Sequence, residues 1–179
     1  MGRIQRYAAI GALIAASASA QNLPHPDHIV VVMMENKSFD DIIDSSNAPY
    51  LNTLRARGAL LAASYGLHHP SQPNYIELFS GSQQGVCTDT CPQPINAPNL
   101  ATSLQQAHRT FIGYAEHFST ACGPTPQQYA QKHCPWRDFT QVPATDTQDF
   151  SAFPQTPAQF PTLPHVAFVI PDLYDDRQQ

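Results

Sequence analysis

Positive charge is scarce in this sequence. Lysine and arginine together number nine among 179 residues, against fourteen aspartates and glutamates, for a net charge of −5. A nucleic-acid partner needs a basic face to meet its phosphates, so that class is excluded. Long apolar runs are equally rare. Residues 8–16 are apolar but too few to cross a bilayer, and no second long stretch follows, so no stable membrane span is expected. Tryptophan occurs once and cysteine four times. No internal repeat is present. Acidity by itself names no substrate.

What is present begins with an export pattern. Arg3 and Arg6 form a basic stretch, residues 8–16 an apolar one, and Ala18-Ser19-Ala20 a small-residue cleavage box before Gln21. Residues 1–20 are therefore expected to be a signal peptide, leaving 21–179 as one domain in a secreted or periplasmic product. Removing Arg3 and Arg6 leaves seven basic against fourteen acidic side chains, or −7. Such a compartment permits disulfides, and the cysteine count is even: Cys87, Cys91, Cys122 and Cys134. Three pairings are possible. The nearest-neighbour set, Cys87–Cys91 with Cys122–Cys134, is the expectation; the irregular spacing argues against zinc.

The seventeen prolines concentrate in the second half. Residues 141–164, with five of them and little apolar periodicity, read as a long surface loop. The remainder alternates. Strands are expected over 28–34, 59–65, 110–114 and 165–170, and helices over 49–57, 71–79, 100–107 and 126–132, with Gly58 capping the first helix. Alternation of this kind predicts an α/β fold with a mainly parallel sheet flanked by helices.

The run Ile29-Val30-Val31-Val32-Met33-Met34 stops at Glu35-Asn36. β-Branched residues in such a run predict a buried strand of a parallel sheet. A carboxylate and an amide at its end deliver oxygen ligands to the C-terminal edge, where open α/β sheets place their sites. A second constellation is His68-His69-Pro70-Ser71-Gln72-Pro73-Asn74-Tyr75. Ser71 falls where loop becomes helix, as an N-cap beside free backbone N–H groups, with Pro73 in the first turn. Asn74, three residues on, can lay its amide over the same spot. A phosphate there would meet N–H donors, an amide and a serine oxygen. Taken locally, the same residues read first as a plain helix cap.

Glu35-Asn36-Lys37-Ser38-Phe39-Asp40, followed by His69-Pro70-Ser71-Gln72-Pro73-Asn74-Tyr75, resembles the bacterial acid phosphatase and phospholipase C phosphoesterase family of the alkaline phosphatase-like superfamily. Phe111-Ile112-Gly113-Tyr114-Ala115-Glu116 is similar to that family's strand ending in Tyr-x-Glu. Tyr129-Ala130-Gln131-Lys132-His133-Cys134-Pro135 is similar to its Tyr-Ala-x-Lys-His-x-Pro segment, and Phe168-Val169-Ile170-Pro171-Asp172-Leu173 to its strand before an Asn-Asp-x-His-Asp box. The resemblance implies an alkaline phosphatase-like fold and hydrolysis of phosphate esters. It implies metal ligation by Glu35 and Asn36, a nucleophilic Ser71 and a phosphoryl-steadying Asn74. His69, adjoining Ser71, joins the catalytic candidates by proximity.

A bound cation of unassigned identity would lower the serine pKa and neutralise phosphoryl charge, leading to a phosphoseryl intermediate. The alternative within the chemistry is phospholipase C-type phosphodiester cleavage. Where the family has its box, this chain reads Asp175-Asp176-Arg177-Gln178-Gln179. Asp176 falls on the first aspartate and Gln178 on the histidine. The expectation that follows is a chain incomplete at its C-terminus, a truncated gene product (a frameshift after Asp176 being one route) or a partial sequence, with unpaired edges on both buried strands. Its alternative from another class is an inactive homologue that at most binds phosphate or metal weakly. His117 and His133 read as surface histidines, and Glu77 as a residue on a solvated helix face.

Overall fold

The protein is described from a computed structural model for residues 25–175, apart from 92, 123–124 and 126–128. The expected leader, Asp176, Gln178 and residues 126–128 lie outside these residues, and the described rest of the helix expected over 126–132 is not α-helical. At the end of that segment Gln131–His133 forms a single 3-10 turn.

Four strands form one sheet: β1 (Ile29–Val32), β2 (Phe111–Ala115), β3 (Thr147–Asp149) and β4 (Val166–Ile170). Their order is β1-β4-β2-β3 and every pairing is parallel. The helices are α1 (Phe39–Ile42), α2 (Pro49–Arg55), α3 (Ser71–Ser80) and α4 (Leu100–Gln106). Parallel neighbours need crossovers, so the connection from β1 to β2 has room for all four helices. This is the α/β architecture that the alternating pattern predicts.

Side chains alternate across a strand, so the sheet has two faces. On one, Phe111 and Ala115 of β2 and Val166, Phe168 and Ile170 of β4 meet Tyr75, Ile76 and Phe79 of α3 and Trp136, with Val31 and Met33 packed against them. Phe79 lies among Phe111, Phe139 and Phe168 at ring separations of 5.3–5.9 Å. Gly113 is required here: a Cβ on it would sit 2.1 Å from the Trp136 ring. On the other face Tyr114, Ala167 and Val169 are covered, among the described residues, by Ile112, Phe150 and Phe153.

Several expectations are corrected. β4 is paired on both sides and fully buried, so of the two strands expected to have open edges only β1 lies at the sheet edge. β1 is not a buried strand: Val30 and Val32 are 39% and 55% exposed, because nothing described packs over their face. Residues 59–65 form no strand; despite their apolar character they are exposed loop and turn. The 141–164 segment is not all loop, since Thr147–Asp149 adds to the sheet edge beside β2. The disulfide is Cys91–Cys122, with Cys87 and Cys134 free. Proximity in sequence was a poor guide because the fold brings the loop after α3 beside the loop after β2. Cys134 is instead fully buried in the core, where burial pushes its thiol up to about 12.

Candidate active site

The C-terminal ends of β1 and β4 and the start of α3 meet at one sheet edge. Beyond Val32, Met33 continues the ladder by donating its N–H to Val169 (3.1 Å). Glu35 is on the same parity as Val31 and Met33, so it points to the face that carries α3. Asn36 then takes a left-handed backbone (φ 59°), a conformation asparagine tolerates better than most residues, and turns the chain away.

Ser71 Oγ donates to Glu35 Oε2 at 2.7 Å, across 36 residues of sequence. The other carboxylate oxygen, Oε1, lies 2.8 Å from His133 Nε2. Tyr75, one turn along α3 from Ser71, bonds Glu35 and stacks on the His133 ring, centroids 4.9 Å apart. Burial works to raise the Glu35 pKa. The His133 bond and charge, with the Ser71 and Tyr75 bonds, outweigh it and hold the carboxyl at about 2. Glu35 is thus an ionised, fixed acceptor at neutral pH.

Glu35, Asn36, His68, His69, Ser71 and Asn74 line one open cavity of about 830 Å³. Met33, Tyr65, Leu67 and Leu78 supply apolar wall. The fold therefore brings together all five residues singled out in the sequence. Their local arrangement differs from expectation in three respects. The helix N-cap is Pro70, so Ser71 is the first helical residue and its hydroxyl is aimed at Glu35 instead of its own backbone. The N–H of Gln72 is taken by Asp89 Oδ1 (2.9 Å), which removes one donor from the expected anion cradle. Asn74 spends its amide on the preceding loop: Oδ1 accepts from Leu67 and His68 N–H (2.9 Å each), and Nδ2 donates to the His68 and Pro70 carbonyls. Asn74 is a brace for the segment that carries both histidines.

Two residues were misjudged from sequence. His133 is 1% exposed, not a surface histidine. The Lys-His-x-Pro segment that contains it was the available signal. Glu77 is not on a solvated face but bonds His68 Nε2 at 2.5 Å in the cavity wall. A buried bond from Gln72 Nε2 to Asp138 Oδ2 (3.0 Å) anchors the start of α3 to the Pro135–Asp138 turn, which fixes Ser71 from behind.

The donors at Ser71 are a carboxylate, an amide and a hydroxyl, the oxygen chemistry of a hard cation, so this set fits part of such a site. Among the described residues, the one group of three converging His, Cys, Asp or Glu donors lies elsewhere: Glu116, His117 and Asp172. Glu116 directly follows β2 and Asp172 lies two residues past the adjacent β4, strand ends that the sequence shows but does not pair as a site.

A serine hydroxyl bonded to a partly buried carboxylate thus stands at the strand ends of a parallel α/β sheet. The chain belongs to the Phosphoesterase family, which residues 43–178 match. It is 42% identical over 172 residues to a phosphatidylinositol-3-phosphatase of Mycobacterium tuberculosis, covering 93% of this chain and 56% of that protein. It is 28% identical to an acid phosphatase of Aspergillus fumigatus (81% of this chain, 35% of that one) and 28% identical to a phosphate-repressible acid phosphatase of Penicillium chrysogenum (84% and 39%). The chain thus spans about half the length, or less, of the curated relatives it matches. No solved structure matches it. No described helix is long and apolar enough to cross a membrane.

Proposed function

We propose that this chain carries the nucleophile half of a phosphomonoesterase centre, with Ser71 as the attacking group. The observation that carries the reading is the 2.7 Å bond from Ser71 Oγ to Glu35 Oε2 inside an open cavity. Glu35 orients the hydroxyl so that an oxygen lone pair faces the cavity. Held at about 2, its carboxylate is too weak a base to keep the serine proton at neutral pH. Glu35 and Asn36 would hold a cation beside Ser71, and that cation would supply the lowered serine pKa and the neutralising charge on the phosphoryl group. Ser71 Oγ forms a bond to phosphorus as the ester oxygen leaves with a proton. Water then cleaves the phosphoseryl ester and releases phosphate. His69 is placed to meet the phosphoryl oxygens or the leaving group, and Asn74 keeps it there through the loop.

The phosphatase-named relatives support a monoester substrate, and the apolar wall of Met33, Tyr65, Leu67 and Leu78 suits an apolar leaving group. Cleavage of a phosphodiester is the second reading within this chemistry. Export through residues 1–20 belongs to the same proposal, and the Cys91–Cys122 disulfide supports it.

The test is turnover of p-nitrophenyl phosphate and of bis-p-nitrophenyl phosphate with added divalent metals, in the wild type and in Ser71→Ala. The expected result is metal-dependent monoester turnover that falls at least about a thousandfold in the variant. Turnover equal in both proteins would remove Ser71 from the role. Preference for the diester would move the chain to the second reading. Absence of turnover in the wild type would make it an inactive homologue.

A further inference from the structure

The second site stands at the same sheet edge, past the ends of β2 and β4. β2 and β4 are parallel neighbours, and Glu116 prolongs their pairing by donating its N–H to Ile170 (2.9 Å). Residues that follow the two strands are therefore side by side. Glu116 is on the parity of Ile112 and Tyr114, so it projects to the face away from α3 and lines a groove with Val30, Val32, Phe150 and Phe153. Asp172, 4% exposed, places Oδ2 2.8 Å from His117 Nδ1. One donor atom each from Glu116, His117 and Asp172 falls within 4.8 Å of the others.

We propose that Glu116, His117 and Asp172 form a divalent-metal site separate from the Glu35–Ser71 centre.

The chemistry of the donors selects the ion. One imidazole with two carboxylates suits zinc, manganese or iron, whereas calcium and magnesium favour all-oxygen sets. Three protein ligands leave positions for water or an exogenous oxygen. The supporting bonds already orient the ligands: Asp172 Oδ1 accepts from the N–H groups of Tyr174 and Asp175 (2.8 and 2.9 Å), and Glu116 Oε2 accepts from the Asp172 N–H (3.1 Å). That leaves Asp172 Oδ2, Glu116 Oε1 and the imidazole for a cation. In the metal-free protein the His117–Asp172 bond holds two of these donors together, and an ion would take the place of the proton between them. The charge balance points the same way. Among the described residues no lysine or arginine forms an ion pair with Glu116, Asp172 or the neighbouring Asp175.

The probe is Mn²⁺ alone, titrated into the full chain with no substrate. Stoichiometry is read by electron paramagnetic resonance and imidazole coordination by nitrogen hyperfine coupling. The wild type should show a bound ion with nitrogen coupling, whether or not a second ion without it binds at Glu35. His117→Ala should lose that coupling and bind at least about tenfold more weakly, with an unchanged far-ultraviolet spectrum because His117 is half exposed. Glu116→Gln should weaken binding similarly, and Glu35→Gln should leave this signal intact. Nitrogen coupling that survives His117→Ala, or disappears with Glu35→Gln alone, would overturn the assignment. So would the absence of nitrogen coupling in the wild type. Because no step uses turnover, an inactive Ser71 centre and a missing second site give different results.

Discussion

The two faces of the sheet are built from the same strands and differ in what lies over them. On the α3 face, Phe79, Trp136 and Phe139 are each 1–2% exposed, and Glu35 is fixed by three neighbours. On the opposite face β1 shows Val30 and Val32 to solvent, and Phe150 and Phe153 make a thin local cover. The contrast teaches that the Ser71–Glu35 bond depends on the packed face. Ser71 is placed by α3, α3 is placed by the aromatic core, and its carboxylate partner arrives from β1 on the same side. The Glu116–His117–Asp172 group is held instead by bonds between the segments that follow β2 and β4.

The largest test of this contrast is truncation of the α3-face core. Phe79→Ala should cost about 3–5 kcal/mol, because it opens a cavity among three aromatic rings, measured by denaturant unfolding. A loss below about 1 kcal/mol would mean that the packed face is not what holds the protein together.

Reduction of Cys91–Cys122 comes next. Its sequence separation of 31 gives a loop-closure contribution of about 3–4 kcal/mol, and Cys91→Ser should lower the melting temperature accordingly. Cys87→Ser, at an exposed free thiol, should change nothing measurable.

Acid unfolding sharpens the role of Glu35. Its folded pKa is held at about 2, below its ordinary value of 4.5, so the unfolded chain binds the proton first. The stabilisation is complete above about pH 4.5 and is lost as pH falls towards 2. Glu35→Gln should flatten the stability profile in that window. A profile that keeps its slope would show that the His133–Glu35–Ser71 chain does not hold the carboxylate ionised.

The smallest effect is expected on the other face. Val32→Thr should stay within about 0.5 kcal/mol, since the side chain is more than half exposed. A loss comparable to that of Phe79→Ala would erase the distinction between the faces.

Much of the site was legible in the chain. Glu35-Asn36 announced itself as polar residues that end a β-branched run, and Ser71 as the start of a helix with Pro73 in its first turn. What failed were inferences that used local neighbours for questions settled at long range. Ser71 looked like a cap, but its hydroxyl found a carboxylate 36 residues away. Asn74 looked free, but its amide closed the loop before it. His133 looked like surface because its own segment is polar, and Tyr75 and Glu35 bury it from other elements. The cysteines nearest in sequence were not nearest in space.

By itself the sequence determined the alternation of strands and helices, the scarcity of basic charge and the family. These depend on periodicity, composition and motifs, which are properties of neighbouring residues. Tertiary structure alone decided which face each strand-end residue would take. A strand's alternation has no sign until helices choose a side. Once α3 had settled against the side of Val31 and Met33, Glu35 met Ser71 on the packed face, and Glu116 turned to the other.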